Sequence, residues 1–427
     1  MTSKHIIVVG AGAAGLVAAR ELAMNGRRVT ILEARERIGG RIWVLPEPTF
    51  GYPAEAGPEF VHGEAPVTRA LVRGAGLRLR VGRGGEGWSA RNGVLQPGFA
   101  RGGENDYEDE LHGKLAELKT DLPIAQFLRR NFADERYAEM RRSITRMTEG
   151  YDAADPERAS TFALRDEWMG GGGRQGGRIV EGYGALIDFL DADARKHGAV
   201  LHLNAEVKAI ATGGGKVVVR RADGATIEGD AALVTVPPPI LPEIVPSSAR
   251  PEIARAIAAI GFGDVIKLLF AFETRFWESA RGQDLSRLSF LFSDAAIPTW
   301  WTQYPDSYPV LTGWYAGPKA ARMRLGEPEL IELGLDCLGE IFRLPKESLR
   351  RQLRIARAIH WGRDPFARGA YSYGTPESKV AQVELSRPID GVLFLAGEAL
   401  YPGKDMGTVE AAFANGLDTA KRVLASK

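Results

Sequence analysis

Three groups of residues have types and spacings that could do chemistry. Lys267 stands in Asp264-Val-Ile-Lys267-Leu-Leu-Phe-Ala-Phe-Glu-Thr-Arg-Phe-Trp277. At the two-residue period of a strand it shares a face with Val265, Leu269 and Ala271, while Ile266, Leu268, Phe270 and Phe272 form the other. An ammonium between two apolar faces is costly unless it is paired or opens onto a cavity. The alternative is an edge strand with the lysine in solvent. Glu59 and His62 are polar positions in the otherwise apolar segment Glu55-Ala-Gly57-Pro58-Glu59-Phe60-Val61-His62-Gly63. Gly57 and Pro58 give a backbone that can lie close to a planar ligand. Glu59, if it faces a cavity, favours a cationic ligand; otherwise it is a solvated carboxylate, and His62 a core imidazole bonded to backbone. The third group is Gly10, Gly12 and Gly15, at the spacing G-x-G-x-x-G, with Glu33 18 residues beyond Gly15. Gly10 makes a turn, Gly12 admits a pyrophosphate to the backbone, and Gly15 lets helix and strand pack closely. The helix N-terminus at Ala13 and Ala14 faces the phosphates, and Glu33 accepts ribose hydroxyls. An acid there repels a 2′-phosphate, which disfavours an NADP-type ligand.

These groups need elements to hold them. Ile6–Val9 reads as a short buried strand, Ala13–Gly26 as a helix, and Val29–Glu33 as a second strand. Residues 66–76 suit a short helix, and residues 104–148 are charged and helical, with Leu111, Leu115 and Leu118 on one face. Gly170–Gly177 is a loop. Gly182 and Gly184 open a helix, Leu201–Val207 is a strand, and Val217–Arg221 with Thr226–Glu228 form a hairpin about Asp223-Gly224. Ala231–Val236 is a buried strand closed by Pro237-Pro238-Pro239. Residues 284–317 are strand-rich and aromatic, able to line an apolar cavity. Residues 327–343 form an amphipathic helix that buries Cys337. The strand Val392–Ala396 ends in Gly397-Glu398, and Gly407-Thr408-Val409 opens a final helix, Val409 to Leu424.

The 427 residues suffice for two domains with proper cores. A content of 44% hydrophobic and 26% charged residues fits an ordinary soluble protein, and a net charge of +1 gives no footprint for nucleic acid. One cysteine and six scattered histidines offer neither a disulfide framework nor a metal site. With no signal-type leader and no run of 18 apolar residues, a cytoplasmic protein without a membrane anchor is expected.

The continuation Glu33-Ala34-Arg35, then Ile38-Gly39-Gly40-Arg41, resembles the extended FAD-binding motif of glutathione-reductase-like flavoproteins. Within that group the chain is most similar to the flavin amine oxidases. The segments 55–63, 264–277 and 361–416 carry the same resemblance. It implies an α/β fold: a Rossmann-like FAD-binding domain with an inserted α+β substrate domain of mixed sheet and helices. The expected FAD domain is residues 1–76, 178–260 and 385–427, and the substrate domain 77–177 and 261–384. The resemblance further implies that Gly10, Gly12, Ala13, Ala14, Gly15, Glu33, Ala34, Arg35, Gly39, Gly40, Arg41, Gly57, Pro58, Glu59, Val207, Gly397, Glu398, Thr408 and Val409 surround FAD. Val207 contacts the adenine through its backbone, Glu398 sits by the ribityl-phosphate end, and the helix start at Thr408 and Val409 faces the isoalloxazine. Ala370 stands where monoamine oxidases carry the flavin-bearing cysteine, so a non-covalent flavin is expected.

In that family the lysine at the place of Lys267 holds a water beside the flavin and assists reoxidation by oxygen. Trp361 and Tyr371 match aromatic positions over the flavin, and with Glu59 and His62 they are the expected substrate-binding residues. A second tyrosine of the family's aromatic cage falls near Lys404 or Asp405, with Tyr401 as a substitute. The implied reaction is FAD-dependent oxidation of an amine by hydride transfer from its α-carbon. The imine hydrolyses, and O2 reoxidises the flavin to give hydrogen peroxide. The partners are then a small amine and O2, with a homodimer left open. The rival readings are a flavin desaturase or porphyrinogen-type oxidase and a non-catalytic flavin-bearing binding protein. Sequence does not choose among primary amine, polyamine, amino acid and N-methyl substrates.

Overall fold

The computed structural model describes residues 3–82, 84–98, 107–169 and 176–426. Most of the Gly170–Gly177 loop and the start of the 104–148 stretch therefore lie outside the described residues. Five parallel strands form one sheet, in the order Leu393–Leu395, Ala231–Val234, His5–Val9, Arg28–Leu32, Val200–His202. His5–Val9 is the middle strand, and its five residues are all buried, as a strand covered on both faces requires. On one face lies the helix Ala13–Met24, which crosses from the first strand to the second. Its small residues let it press on the last helix, Val409–Ala425: a Cβ added at Gly416 would stand 2.5 Å from the Ala14 carbonyl oxygen. Val8, Leu16, Ile31, Leu190 and Phe413 make the core between them. On the other face Ile7, Val9, Leu32 and Val234 pack with Val217 and Val219 of an antiparallel sheet of Val207–Gly213, Lys216–Arg221 and Thr226–Gly229.

One expected strand is in fact two. Val200–His202 ends the parallel sheet, and a new strand starts at Val207 in the antiparallel one. Between them Asn204 takes a left-handed conformation (φ 52°), a geometry asparagine tolerates better than most residues. Its amide donates to Arg35 O at 2.9 Å and that of Ala205 to Glu33 O at 2.7 Å, which turns the chain around the end of the second strand.

The second sheet has seven strands, in the order Leu353–His360, Val265–Phe272, Val310–Ala316, Thr299–Thr302, Leu288–Ser293, Glu86–Arg91, Val94–Pro97. Val265–Phe272 is paired on both sides, to Val310–Ala316 and to Leu353–His360, so the edge-strand reading of Lys267 fails. Its two faces serve two cores. Ile266, Leu268, Phe270 and Phe272 pack with Leu335 and Leu338 of the helix Glu327–Phe342, and Val265, Leu269 and Ala271 pack with Phe50, Ala56 and Trp361. Cys337 is buried in the first of these cores.

The expected helical stretch 104–148 is broken into Glu108–Glu117, Ile124–Asn131 and Ala138–Gly150, with Pro123 before the second helix and an extended Asp134 before the third. Together with Thr161–Met169 they enclose Phe127, Phe132, Ile144 and Leu164. No helix among the described residues is long and apolar enough to cross a membrane.

Candidate active site

A single cavity of about 1820 Å³ runs from the glycine-rich turn after the first strand to the face of the seven-stranded sheet that carries Lys267. That exceeds the roughly 300–1,000 Å³ of a pocket for one small ligand. It has room for a dinucleotide and a second molecule.

At one end the turn is built as the spacing requires. Gly10 has φ 104°, and a Cβ at Gly15 would stand 1.9 Å from the Gly10 carbonyl oxygen. Gly12 is different: a Cβ there would meet only Gly39 O, at 3.9 Å, and Gly12 itself lines the cavity. The helix Ala13–Met24 has neither a side-chain cap nor an acid in its first turn, so its leading N–H groups face the cavity with the positive end of the helix dipole. Glu33 closes this end. Its carboxylate accepts from Ala11 N at 2.8 Å and Arg35 N at 3.0 Å, leaving lone pairs for hydroxyls. Gly39, Gly40, Ala34 and Val207 also line it. These residues fit a dinucleotide pyrophosphate and its ribose.

In the middle, Arg41 donates to Ala370 O at 2.6 Å and to Glu398 Oε1 at 2.8 Å, and Ser372 Oγ donates to the other oxygen of Glu398. Glu398 thereby ties three chain segments around the cavity. Thr408 Oγ1 caps the last helix by accepting from Ala411 N at 3.1 Å, and Gly397, Thr408 and Val409 line the wall.

At the far end the backbone of residues 55–59 is clamped. A Cβ at Gly57 would stand 1.9 Å from Arg41 O, so only glycine passes. Trp361 Nε1 donates to Ala56 O at 3.0 Å, and Lys267 Nζ to Gly57 O at 3.0 Å. Lys267 is 0% exposed by surface area yet lies at the cavity wall. Its second partner is Glu59, at 3.2 Å. Glu59 also accepts from Arg178 Nε at 2.9 Å, Gln303 Nε2 at 2.9 Å and Trp301 Nε1 at 3.0 Å. Burial pushes the Glu59 carboxyl up, but Lys267 and Arg178 outweigh it and hold it at about 2. Burial pushes the Lys267 ammonium below its usual range, against the pull of Glu59. Behind them Glu55, buried, accepts from Tyr183 N at 2.6 Å, and burial raises its carboxyl to about 8 despite Lys267.

His62 and Tyr371 both line the cavity beside Tyr151: the Tyr151 hydroxyl lies 3.3 Å from His62 Nδ1, and the Tyr371 hydroxyl donates to Tyr151 O at 2.6 Å. Trp314 stacks on Tyr371 with centroids 6.5 Å apart. Lys404 and Asp405 line the wall, and Tyr401 is not among the lining residues.

Apart from Gly15, which packs helix against turn, the sequence-derived residues line one cavity, with one difference in what they do. Glu59, expected to meet an amine, is engaged by cations of the chain itself. Of its partners, Trp301 belongs to the aromatic 284–317 stretch expected to line a cavity, whereas Arg178 and Gln303 carried no signal beyond their residue types. Neither did Asp152 and Glu167, whose carboxyl groups stand within hydrogen-bond reach of each other in the cavity wall. Asp152 Oδ2 is buried without a donor. Burial and then Glu167 push the Asp152 carboxyl well above the usual range; burial and Asp405 push Glu167 up as well.

Comparison with known proteins agrees with this arrangement. Polyamine oxidase 4 of Oryza sativa subsp. japonica is 27% identical over 470 residues, 99% of this chain and 90% of that protein. Lysine-specific histone demethylase 1B of Mus musculus is 26% identical over 99% of this chain and 53% of its own length. Among solved structures, putrescine oxidase bound to putrescine superposes with a TM-score of 0.78 at 21% identity, covering 99% of each chain. Cyclohexylamine oxidase from Brevibacterium oxydans superposes at 0.79 and 21%, again over 99% of each chain. The family model described as flavin containing amine oxidoreductase matches residues 13–424, and the chain belongs to that family.

Proposed function

We propose that this flavin amine oxidase oxidises an amine bearing a second cationic group, in a chamber between the Lys267 wall and the Asp152–Glu167 pair. FAD, when bound, supplies the two-electron acceptor for the hydrogen on the amine's α-carbon. A Rossmann-like domain of residues 1–76, 178–260 and 385–427 holds it, with the pyrophosphate at Gly12, Ala13 and Ala14 and the ribose at Glu33. The remaining segments, 77–177 and 261–384, form the substrate domain.

The chain's own residues then do three things. The aromatic wall of Tyr371, Trp314 and Tyr151 excludes water and lowers the pKa of the reacting nitrogen, favouring the neutral amine whose lone pair assists C–H cleavage. Lys267, fixed by Gly57 O and Glu59, holds a proton or a water at its Nζ where oxygen reacts. Asp152 and Glu167 take the distal ammonium. The overall reaction consumes O2 and water and yields a carbonyl compound, the cleaved amine and hydrogen peroxide.

The observation that carries this reading is the carboxyl pair. Asp152 Oδ2 is buried without a donor while its carboxyl lies within hydrogen-bond reach of that of Glu167, so the pair must hold a shared proton or a cation. The polyamine and putrescine oxidases among the similar proteins support the same class. The desaturase reading has no comparable feature in its favour. The test is the flavin absorption band of the purified holoenzyme under anaerobic addition of a panel of mono-, di- and polyamines. Bleaching by di- or polyamines, with the colour returning on admission of air, is expected. Bleaching by monoamines alone refutes the distal site, and no bleaching by any amine refutes the reaction.

A further inference from the structure

Glu59 divides its carboxylate between two cations. Oε1 accepts from Arg178 Nε at 2.9 Å and from Gln303 at 2.9 Å, while Oε2 accepts from Lys267 at 3.2 Å and from Trp301 at 3.0 Å. Arg178 has little freedom to move. Its other nitrogens donate to Thr302 O at 3.1 Å and Tyr304 O at 3.2 Å, and its guanidinium lies 4.4 Å over the Phe60 ring. A guanidinium remains charged at any working pH, so the charge of Glu59 is already matched before Lys267 is counted.

Charged, polar and apolar groups from several elements face Lys267. Its own strand contributes only apolar neighbours, Val265 and Leu269. The 55–59 segment contributes Glu55, Glu59 and the Gly57 carbonyl, the strand Gly177–Ile179 contributes Arg178, and Trp301 contributes an indole face 5.4 Å from Nζ. The paired strands place Trp314 and Ile359 opposite Lys267. Tyr52, close to Glu55 and Glu59, keeps its proton because burial pushes its hydroxyl well above the usual range. With Glu59 and Arg178 cancelling, the enclosure is neutral in two ways. Either Lys267 is an ammonium and Glu55 a carboxylate, or Lys267 is a free amine and Glu55 a carboxylic acid.

We propose that Arg178 is a positioning residue for Lys267: by matching the charge of Glu59, it leaves the buried amine free to exchange a proton instead of locking it as the ammonium of a Glu59–Lys267 ion pair. This rests on the reading of Lys267 given above. Without Arg178, Glu59 would be an unmatched buried anion whose nearest remedy is a permanently protonated Lys267. Burial is the main influence that lowers Lys267; Glu59 and Glu55 raise it and Arg178 lowers it, the directions this arrangement requires.

The test is the titration of Lys267 in holoenzyme labelled with ¹³C-lysine, its Cε resonance identified by its loss in Lys267→Met. In Arg178→Gln the midpoint is expected to rise by about one to three pH units, and in Glu59→Gln to fall, since a charge within about 4–6 Å shifts a pKa by that much. Arg178→Lys, which keeps the charge, should titrate close to the wild type. A midpoint that stays put or falls in Arg178→Gln overturns the proposal. If that variant does not fold with its flavin, the double variant Glu59→Gln/Arg178→Gln, which removes the matched pair together, is compared with Glu59→Gln: a midpoint higher in the double variant supports the proposal, and an equal or lower one overturns it. The role of Lys267 in reoxidation is judged separately, from the reoxidation rate of Lys267→Met. A normal rate there removes that role while the titration still stands or falls by itself.

Discussion

Lys267 Nζ donates to the carbonyl oxygen of Gly57 at 3.0 Å, across 210 residues of sequence. This bond joins the middle of the seven-stranded sheet to the segment clamped against Arg41 and Trp361. Lys267→Met is expected to slow reoxidation of the reduced flavin by oxygen far more than its reduction by amine. Stopped-flow measurement of the two half-reactions separates them, and equal slowing of both would refute the assignment. Because Arg178 still matches the charge of Glu59, losing the Lys267 hydrogen bond to that carboxylate should cost about 1.5–3 kcal/mol of stability, read from the denaturant midpoint.

Asp152 and Glu167 give a specificity prediction. Asp152→Asn should raise KM for a diamine about tenfold or more, the loss of one charge-assisted hydrogen bond, with kcat little changed. KM for a monoamine of similar length should stay the same. Steady-state kinetics on the two substrates checks this, and parallel losses on both would place Asp152 outside substrate recognition.

Glu55 makes stability fall with pH. Its carboxyl is raised to about 8 in the folded protein, chiefly by burial and against the pull of Lys267. The folded state therefore holds this proton more tightly than the unfolded chain, whose value is about 4.3. The contribution is full below about pH 4 and is lost as pH rises toward 8. Glu55→Gln keeps the acceptor for the Tyr183 N–H and removes the titration. It should stabilise the protein by about 2 kcal/mol or more near pH 9 and by little near pH 5. Denaturant midpoints at the two pH values decide, and an equal effect at both would refute it.

Glu33 is the polar closure of the dinucleotide end, bonded to Ala11 N and Arg35 N. Glu33→Ala should raise the Kd for FAD about 10- to 100-fold, corresponding to hydrogen bonds to a charged group worth about 1.5–3 kcal/mol. Titration of the apoprotein, followed by flavin fluorescence, measures it. An unchanged Kd would remove Glu33 from the cofactor site.

The amino-acid sequence by itself determined the parts whose geometry is local. Gly10, Gly12, Gly15 and Glu33 lie within one strand–helix–strand unit, so their spacing already dictates the turn, the bare helix N-terminus and the acid at the next strand end. The two apolar faces of the Lys267 strand were equally legible, because a period of two needs no partner to be read. Only the tertiary structure decided what the polar residues meet. Glu59 could be assigned to an amine until Arg178, 119 residues away, and Lys267, 208 away, were seen to occupy it. Asp152 and Glu167 are unremarkable acids in sequence, and they become a pair only because the helix Thr161–Met169 returns beside Asp152. The split of residues 200–207 between two sheets rests on Asn204, whose left-handed turn is anchored by carbonyls of the second strand's end. Hydrophobic pattern records which face of an element is buried. It does not record which buried polar atoms face one another, since that depends on how separate elements pack.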